Sequence, residues 1–133
     1  MHGGKLKVKK SEDEWKRSLT PEQYRVLRKG ETEPPFTGEL LHNKGEGVYK
    51  CAGCGNPLFL SSDKFDSGSG WPSFRDAIEG SIEYIRDTSY GMDRVEVRCS
   101  RCGGHLGHVF DDGPPPKGKR YCINSAAMVF EKK

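Results

Sequence analysis

The sequence predicts a mainly β domain, built of antiparallel strands behind two short N-terminal helices and stapled by a metal. Three observations predict it. Short apolar–polar alternations recur between Gly47 and Phe130, and a period of two marks half-buried strands. Only 33% of the 133 residues are hydrophobic, while 17 are Gly and 8 are Pro, so the chain is turn-rich around a small core. The motif Cys-x-x-Cys-Gly occurs twice, at Cys51 and at Cys99. A small core of this kind usually needs such a staple.

The elements follow in order. Residues 1–10 carry Lys5, Lys7, Lys9 and Lys10 and read as a basic flexible tail; they lack the apolar run of a secretory signal. Residues 11–133 read as one domain, long enough to bury roughly two thirds of its unfolded surface. Ser11–Leu19 is expected to be a helix with Trp15 on its apolar side. A second helix starts at Thr20-Pro-Glu-Gln23, where Thr20 caps, Pro21 suits the first helical position and Gln23 completes a capping box. It stops at Gly30, and Glu31–Thr37, with two prolines, is extended. Strands are expected at Gly47–Lys50, Pro57–Leu60, Ile82–Arg86, Arg94–Arg98, Tyr121–Ile123 and Ala127–Phe130, with a stiff proline loop over Asp111–Gly118.

No apolar run approaches the ~18 residues that span a bilayer, so no membrane partner is expected. The net charge of +3 is too mild to argue for nucleic acid. Cytoplasmic residence is the default expectation, where cysteines stay reduced and bind metal or do chemistry. A monomer is expected.

Cys51, Cys54, Cys99 and Cys102 form the staple. Two residues between cysteines let both sulfurs reach one ion, and the following glycine permits a tight turn whose amides face the thiolates. Four thiolates make the closed tetrahedral site typical of one structural zinc. Two alternatives compete. One pair could be a thioredoxin-like redox motif, although no βαβ pattern surrounds it. Cys99, Cys102, His105 and His108 could instead bind a metal locally, which would strand Cys51 and Cys54.

Five cysteines minus four ligands leave Cys122. A spare cysteine is often a small buried hydrophobe, but its neighbours argue for chemistry. Arg120 and Asn124 share its face if this is a strand; a cation there favours the thiolate, the form that attacks. Tyr121 and Ile123 would face the core. His105 and His108 lie three residues apart on a segment anchored by the second knuckle, and imidazole moves protons near neutral pH. His2 and His42 sit in polar surroundings and read as surface residues. In Ser67-Gly-Ser-Gly-Trp-Pro-Ser-Phe74, Pro72 stiffens the backbone beside Trp71, whose indole could wall a pocket for a thioether or S-methyl group.

Together these motifs resemble one family, the peptide methionine-R-sulfoxide reductases. The resemblance rests on Pro35-Phe-Thr-Gly-Glu39, both knuckles, Gly70-Trp-Pro-Ser-Phe74, Gly104-His-Leu-Gly-His-Val-Phe110 and Arg120-Tyr-Cys-Ile-Asn-Ser125, and runs from about Trp15 to Phe130. It implies two antiparallel sheets, a zinc remote from the active site, and reduction of methionine-R-sulfoxide in oxidised proteins or free. It implies Cys122 as nucleophile, His105, His108, Arg120 and Asn124 as polar active-site residues, and Trp71 and Phe110 as walls of the methyl pocket. One position departs from the pattern: many members have a resolving cysteine where this chain has Ser69. Reduction would then pass through a Cys122 sulfenic acid to an external thiol, with thioredoxin the donor the resemblance implies. Two rivals remain. A zinc-ribbon module for nucleic acid or protein explains the knuckles but not Cys122, the histidines or Trp71. A cysteine–histidine hydrolase shares the nucleophile and base.

Overall fold

The computed structural model describes residues 8–133. Helix α1 (Glu12–Ser18) starts at Ser11, whose hydroxyl accepts from the Glu14 amide while the Glu14 carboxylate accepts from the Ser11 amide. Helix α2 (Pro21–Leu27) repeats the device with Thr20 and Gln23, and its exit turns at Gly30 with φ +73°, a backbone setting that favours glycine. Seven residues each are too few for a helix to persist alone, so packing fixes them.

That packing is against the cysteine knuckles. Trp15 and Leu27 are buried; a Cβ at Gly53 would lie 3.1 Å from the Trp15 ring, and one at Gly104 would lie 2.9 Å from Leu27. The Arg28 guanidinium stacks 4.4 Å from the Trp15 ring centroid and donates to the Cys102 carbonyl at 3.1 Å. Of the expected tail, Lys5 and Lys7 lie outside the described residues, as does His2. At its end the Val8 amide donates to the Arg101 carbonyl, and the Lys10 ammonium sits 4.8 Å from the Trp15 ring centroid.

Nine strands follow among the described residues: β1 (Gly47–Cys51), β2 (Pro57–Leu60), β3 (Lys64–Phe65), β4 (Ser73–Phe74), β5 (Ile82–Asp87), β6 (Arg94–Cys99), β7 (His105–Phe110), β8 (Arg120–Ile123) and β9 (Met128–Lys132). They form a three-stranded sheet in the order β2-β1-β9 and a six-stranded sheet in the order β3-β4-β8-β7-β6-β5. Every pairing is antiparallel. Aromatic side chains join the sheets. Phe59 of the small sheet stacks on Phe74 of the large one at 4.4 Å, and Tyr49 meets the same ring edge-on at 5.0 Å. All three rings are fully buried, with Leu58, Val97, Leu106 and Ile123 around them. This is the mainly β, two-sheet fold with short N-terminal helices that the sequence predicts.

Strand β7 is the structural surprise. Two glycines in Gly104–Phe110 mask its alternation. Its register with β6 runs Val97↔Gly107 but then Arg98↔His105, so Leu106 is one residue too many on the β7 side: a β-bulge.

Candidate active site

Alternation along β8 sends Tyr121 and Ile123 into the core, 4% and 0% exposed. Arg120 and Cys122 go to the opposite face. There Cys122 stands between two cross-strand partners, His108 on β7 and Ser73 on β4. Arg120 stands opposite Phe110, with its guanidinium 4.6 Å from the ring centroid. Asp112 holds the guanidinium in a two-point grip, Nε to Oδ1 at 2.7 Å and Nη2 to Oδ2 at 3.0 Å. The grip leaves Nη1 to donate to the Cys122 Sγ at 2.7 Å. A charged donor on the sulfur stabilises negative charge there.

The bulge brings the histidines together. On a regular strand, residues three apart point to opposite faces. With the extra residue between them, the His105 and His108 rings meet edge to face, centroids 5.6 Å apart. Each is held by a carboxylate, His105 by one on the adjacent β6 and His108 by one on β5, a strand further out. His105 Nδ1 lies 2.6 Å from Glu96 Oε2, and His108 Nε2 lies 2.8 Å from Asp87 Oδ2. Burial would raise the Glu96 pKa, but hydrogen bonds from His105 and Arg98 outweigh it and bring the carboxyl down to about 2. Asp87 is held well below the carboxylate range by Ser89, with His108 next in strength. His108 itself is lowered from 6.5, because burial outweighs the Asp87 hydrogen bond. Neither carboxylate was expected from the sequence. The alternating Arg94-Val-Glu-Val-Arg98 does carry a signal: one face holds opposite charges in register.

A cavity of about 300 Å³ opens over Cys122. Trp71, His108, Phe110, Arg120 and Asn124 line it, together with Ser69, Thr32, Arg94 and Gly107. His105 does not; it is buried at 6% exposure, with no partner for Nε2 among the described residues. The Trp71 indole donates to the Glu33 carbonyl at 2.9 Å, which fixes one edge of the ring. Asn124 spends both ends of its amide on backbone: Oδ1 accepts from the Glu33 amide and Nδ2 donates to the Leu106 carbonyl at the bulge.

Glu33, a third residue the sequence did not single out, is buried at 4% exposure. Its carboxylate accepts from the Ser125 and Ala126 amides, both at 3.0 Å, just past the cysteine strand. Burial raises its pKa against the pull of those two amides. Glu33 thus ties the loop that holds Trp71 to the turn that follows the cysteine strand.

The other four cysteines lie apart from this cavity and cluster. Their sulfurs all fall within 4.8 Å of one another. Cys51 and Cys102 are 3.7 Å apart, Cys54 and Cys99 3.6 Å. A metal–sulfur bond of about 2.3 Å gives tetrahedron edges of roughly 3.8 Å, so the cluster fits one tetrahedral ion. The Gly53 amide donates to Cys51 Sγ at 3.3 Å and Asn56 Nδ2 to Cys99 Sγ at 3.6 Å, as thiolates require. His108 faces the cavity and His105 is held by Glu96, and neither joins the cysteine cluster, so the local Cys99–His108 metal site is not what the structure forms.

Comparison with known proteins points the same way. The SelR domain matches residues 19–132. The chain is 62% identical over 125 residues to "Peptide methionine sulfoxide reductase MsrB" of Methanosarcina barkeri, covering 93% of this chain and 88% of that protein. It is 56% identical over 123 residues to the MsrB of Escherichia coli strain K12, covering 92% and 90%. Mouse "Methionine-R-sulfoxide reductase B3, mitochondrial" is 58% identical over 125 residues, 93% of this chain and 49% of that protein.

Proposed function

This chain belongs to the SelR-domain family of peptide methionine sulfoxide reductases, and from that premise we propose a mechanism in which Cys122 reduces methionine-R-sulfoxide. The protein is a peptide-methionine (R)-S-oxide reductase, an enzyme of oxidative-damage repair. The observation that carries the mechanism is the Arg120 donor on Cys122 Sγ at the floor of an aromatic-walled cavity.

The substrate's S-methyl group packs against Trp71 and Phe110, which places its sulfur over Cys122. The thiolate attacks that sulfur while a proton reaches the sulfoxide oxygen. The oxygen passes to Cys122, so thiolate, sulfoxide and one proton become a sulfenic acid and methionine. His108 is the proton donor: it lines the cavity and stands cross-strand from the nucleophile. His105, behind it and held by Glu96, positions the His108 ring. Asn124 positions the bulge and the Glu33 loop rather than moving protons. An external thiol then displaces water from the sulfenic acid and a second thiol releases Cys122. A small dithiol protein of the thioredoxin kind suits this step.

Zinc fits the four-cysteine cluster by donor set and spacing. Its role there is structural, to hold the two knuckles and the helices docked on them. No helix among the described residues is long and apolar enough to cross a membrane. A monomer in the cytoplasm, where these thiols stay reduced, completes the reading. Of the rivals, a binding module leaves Cys122, Arg120 and His108 without a task.

The test is the purified protein with dithiothreitol and each methionine sulfoxide epimer separately. Consumption of the R epimer alone, lost in Cys122→Ser, is expected. Equal turnover by Cys122→Ser would overturn the mechanism.

A further inference from the structure

The flank of Cys122 away from His108 is lined by hydroxyls. Ser69 Oγ lies 3.6 Å and Ser73 Oγ 3.8 Å from the sulfur. Ser67 links the two, with its Oγ 2.8 Å from Ser69 Oγ and 2.6 Å from Ser73 Oγ. The cluster is built by the fold. Ser73 is fixed by its strand register with Cys122, and its hydroxyl also donates to the Trp71 carbonyl at 3.0 Å. Gly68 and Gly70 take φ of +75° and +95°, which folds the loop back so that Ser67 and Ser69 both reach the sulfur's side. The Ser67 hydroxyl further accepts from the Ser69 amide, and the Asp66 carboxylate from the Gly68 amide.

Attack on a sulfoxide does not call for this arrangement. A thiolate already served by Arg120 gains little from further donors, since each one draws charge from the attacking pair. A sulfenic acid has a different need. Its S–OH both donates and accepts, and the guanidinium can only donate. A hydroxyl can do either. Ser73 spends its hydrogen on the Trp71 carbonyl and accepts from Ser67, which leaves the Ser69 hydroxyl free to turn. Turned one way, Ser69 aims its O–H at the sulfur; turned toward Ser67, it presents a lone pair that accepts from S–OH. Resting on the assignment of Cys122 as the nucleophile, we propose that Ser67, Ser69 and Ser73 form a hydroxyl cage that holds the Cys122 sulfenic acid until an external thiol arrives. The cage takes the place of an internal resolving thiol. It keeps the first oxygen bound and oriented, and slows a second oxidant from reaching the sulfur. The oxidant it guards against is a peroxide, which would give its oxygen to the sulfenate, forming sulfinic acid and water.

The experiment uses the metal-loaded full chain and Ser67→Ala, Ser69→Ala and Ser69→Thr. Each receives one equivalent of methionine-R-sulfoxide without reductant. Methionine released per chain reports whether Cys122 acts as assigned; no release from the wild type sinks that assignment and the cage with it. Dimedone added after increasing delays, with and without hydrogen peroxide, then reports the lifetime of the sulfenic acid and its conversion to sulfinic acid by mass. Both alanine variants should convert faster by roughly three- to tenfold, the range expected for one lost hydrogen bond. Ser69→Thr, which keeps the hydroxyl, should stay near the wild type. Conversion rates in Ser67→Ala and Ser69→Ala equal to the wild type, with normal methionine release, would overturn the cage alone. Circular dichroism and metal content of each variant separate a misfolded protein from a faster-oxidised one, and the Ser67→Ala result stands even if Ser69→Ala does not fold.

Discussion

His108 and Cys122 are direct cross-strand partners, and Glu96 stands opposite His108 on the next strand. One row across the sheet therefore carries a carboxylate, an imidazole and a thiol, and the β4 serine extends it beyond the sulfur. Such rows are set by pairing register, and a slip of one residue would send every member to the core face. The chemistry proposed for this protein is thus as well determined as the sheet.

The first prediction concerns the proton. Burial holds His108 below 6.5 and Asp87 opposes that shift. If imidazolium is the acid, single-turnover methionine release should fall as pH rises, with a midpoint below 6.5. Asp87→Asn removes the anion that favours the charged ring, so the midpoint should move further down. His108→Ala should slow the step by roughly 10²–10⁴. Stopped-flow quench across pH measures all three, and a profile unmoved by Asp87→Asn would sink the assignment.

Glu96 makes a second prediction, on stability. Its folded pKa is depressed to about 2 from 4.5. Its contribution is therefore present above 4.5 and is lost as pH falls through 2. Glu96→Gln cannot titrate, so its melting temperature should fall less than the wild type's over that window, from a lower starting point at neutral pH. Parallel melting curves for the two proteins would show that the Glu96–His105 pair does not couple protonation to folding.

The metal cluster makes the third. Three ligands no longer close a tetrahedral site, and binding on the order of 10–16 kcal/mol is folding energy in such domains. Cys54→Ser should lose zinc and melt, and Trp15, docked on the knuckle, should become exposed to quenchers. Cys122→Ser and His105→Ala should each keep one zinc by metal analysis. Full zinc in Cys54→Ser would overturn the four-thiolate site.

How much of this was legible in the sequence depends on range. The capping box at Thr20, the knuckles and the alternating strands are local patterns, and the structure has them where local chemistry puts them. Arg120 and Cys122 share a face because β8 is regular. The histidines are a different case: three apart, they fit neither face of a strand until the bulge at Leu106 is known, and a bulge is a fact about two strands. Strands β3 and β4 have two residues each, too few to show a period. Glu96 falls in an alternating strand segment, Asp87 just past the end of another, and Glu33 in the extended stretch with two prolines. Each gains its role from a partner at least nine residues away in sequence.

Glu33 and Trp71 give the fourth prediction. Trp71→Ala removes apolar contact with the S-methyl group, worth about 1.5–3 kcal/mol, so kcat/KM should fall roughly ten- to a hundredfold. Glu33→Ala leaves the Ser125 and Ala126 amides unpaired, at about 1–3 kcal/mol each. It should lower the melting temperature and also raise KM, because the loop that anchors the indole is loosened. Trp71 fluorescence should shift in Glu33→Ala; an unchanged spectrum with unchanged KM would mean the two residues are not linked.

Recycling gives the last. The cluster holds four of the five cysteines, and with zinc bound there each thiolate would be a poor exchange partner, its lone pair held by the metal. Cys122 is then left with no internal thiol to resolve it, only the Ser69 hydroxyl 3.6 Å from its sulfur. A sulfur at that position needs to close about 1.5 Å to reach the ~2.05 Å bond of a disulfide, a movement within reach of a side-chain rotation in the loop. One equivalent of substrate without reductant should therefore leave the wild type as a dimedone-trapped sulfenic acid. Ser69→Cys should instead lose two hydrogens as the new thiol displaces water from Cys122. Its dimedone adduct should vanish while the zinc stays bound. Mass spectrometry distinguishes the outcomes. A two-hydrogen loss in the wild type, accompanied by released zinc, would mean that a clamp cysteine resolves Cys122 and that the external thiol is not obligatory.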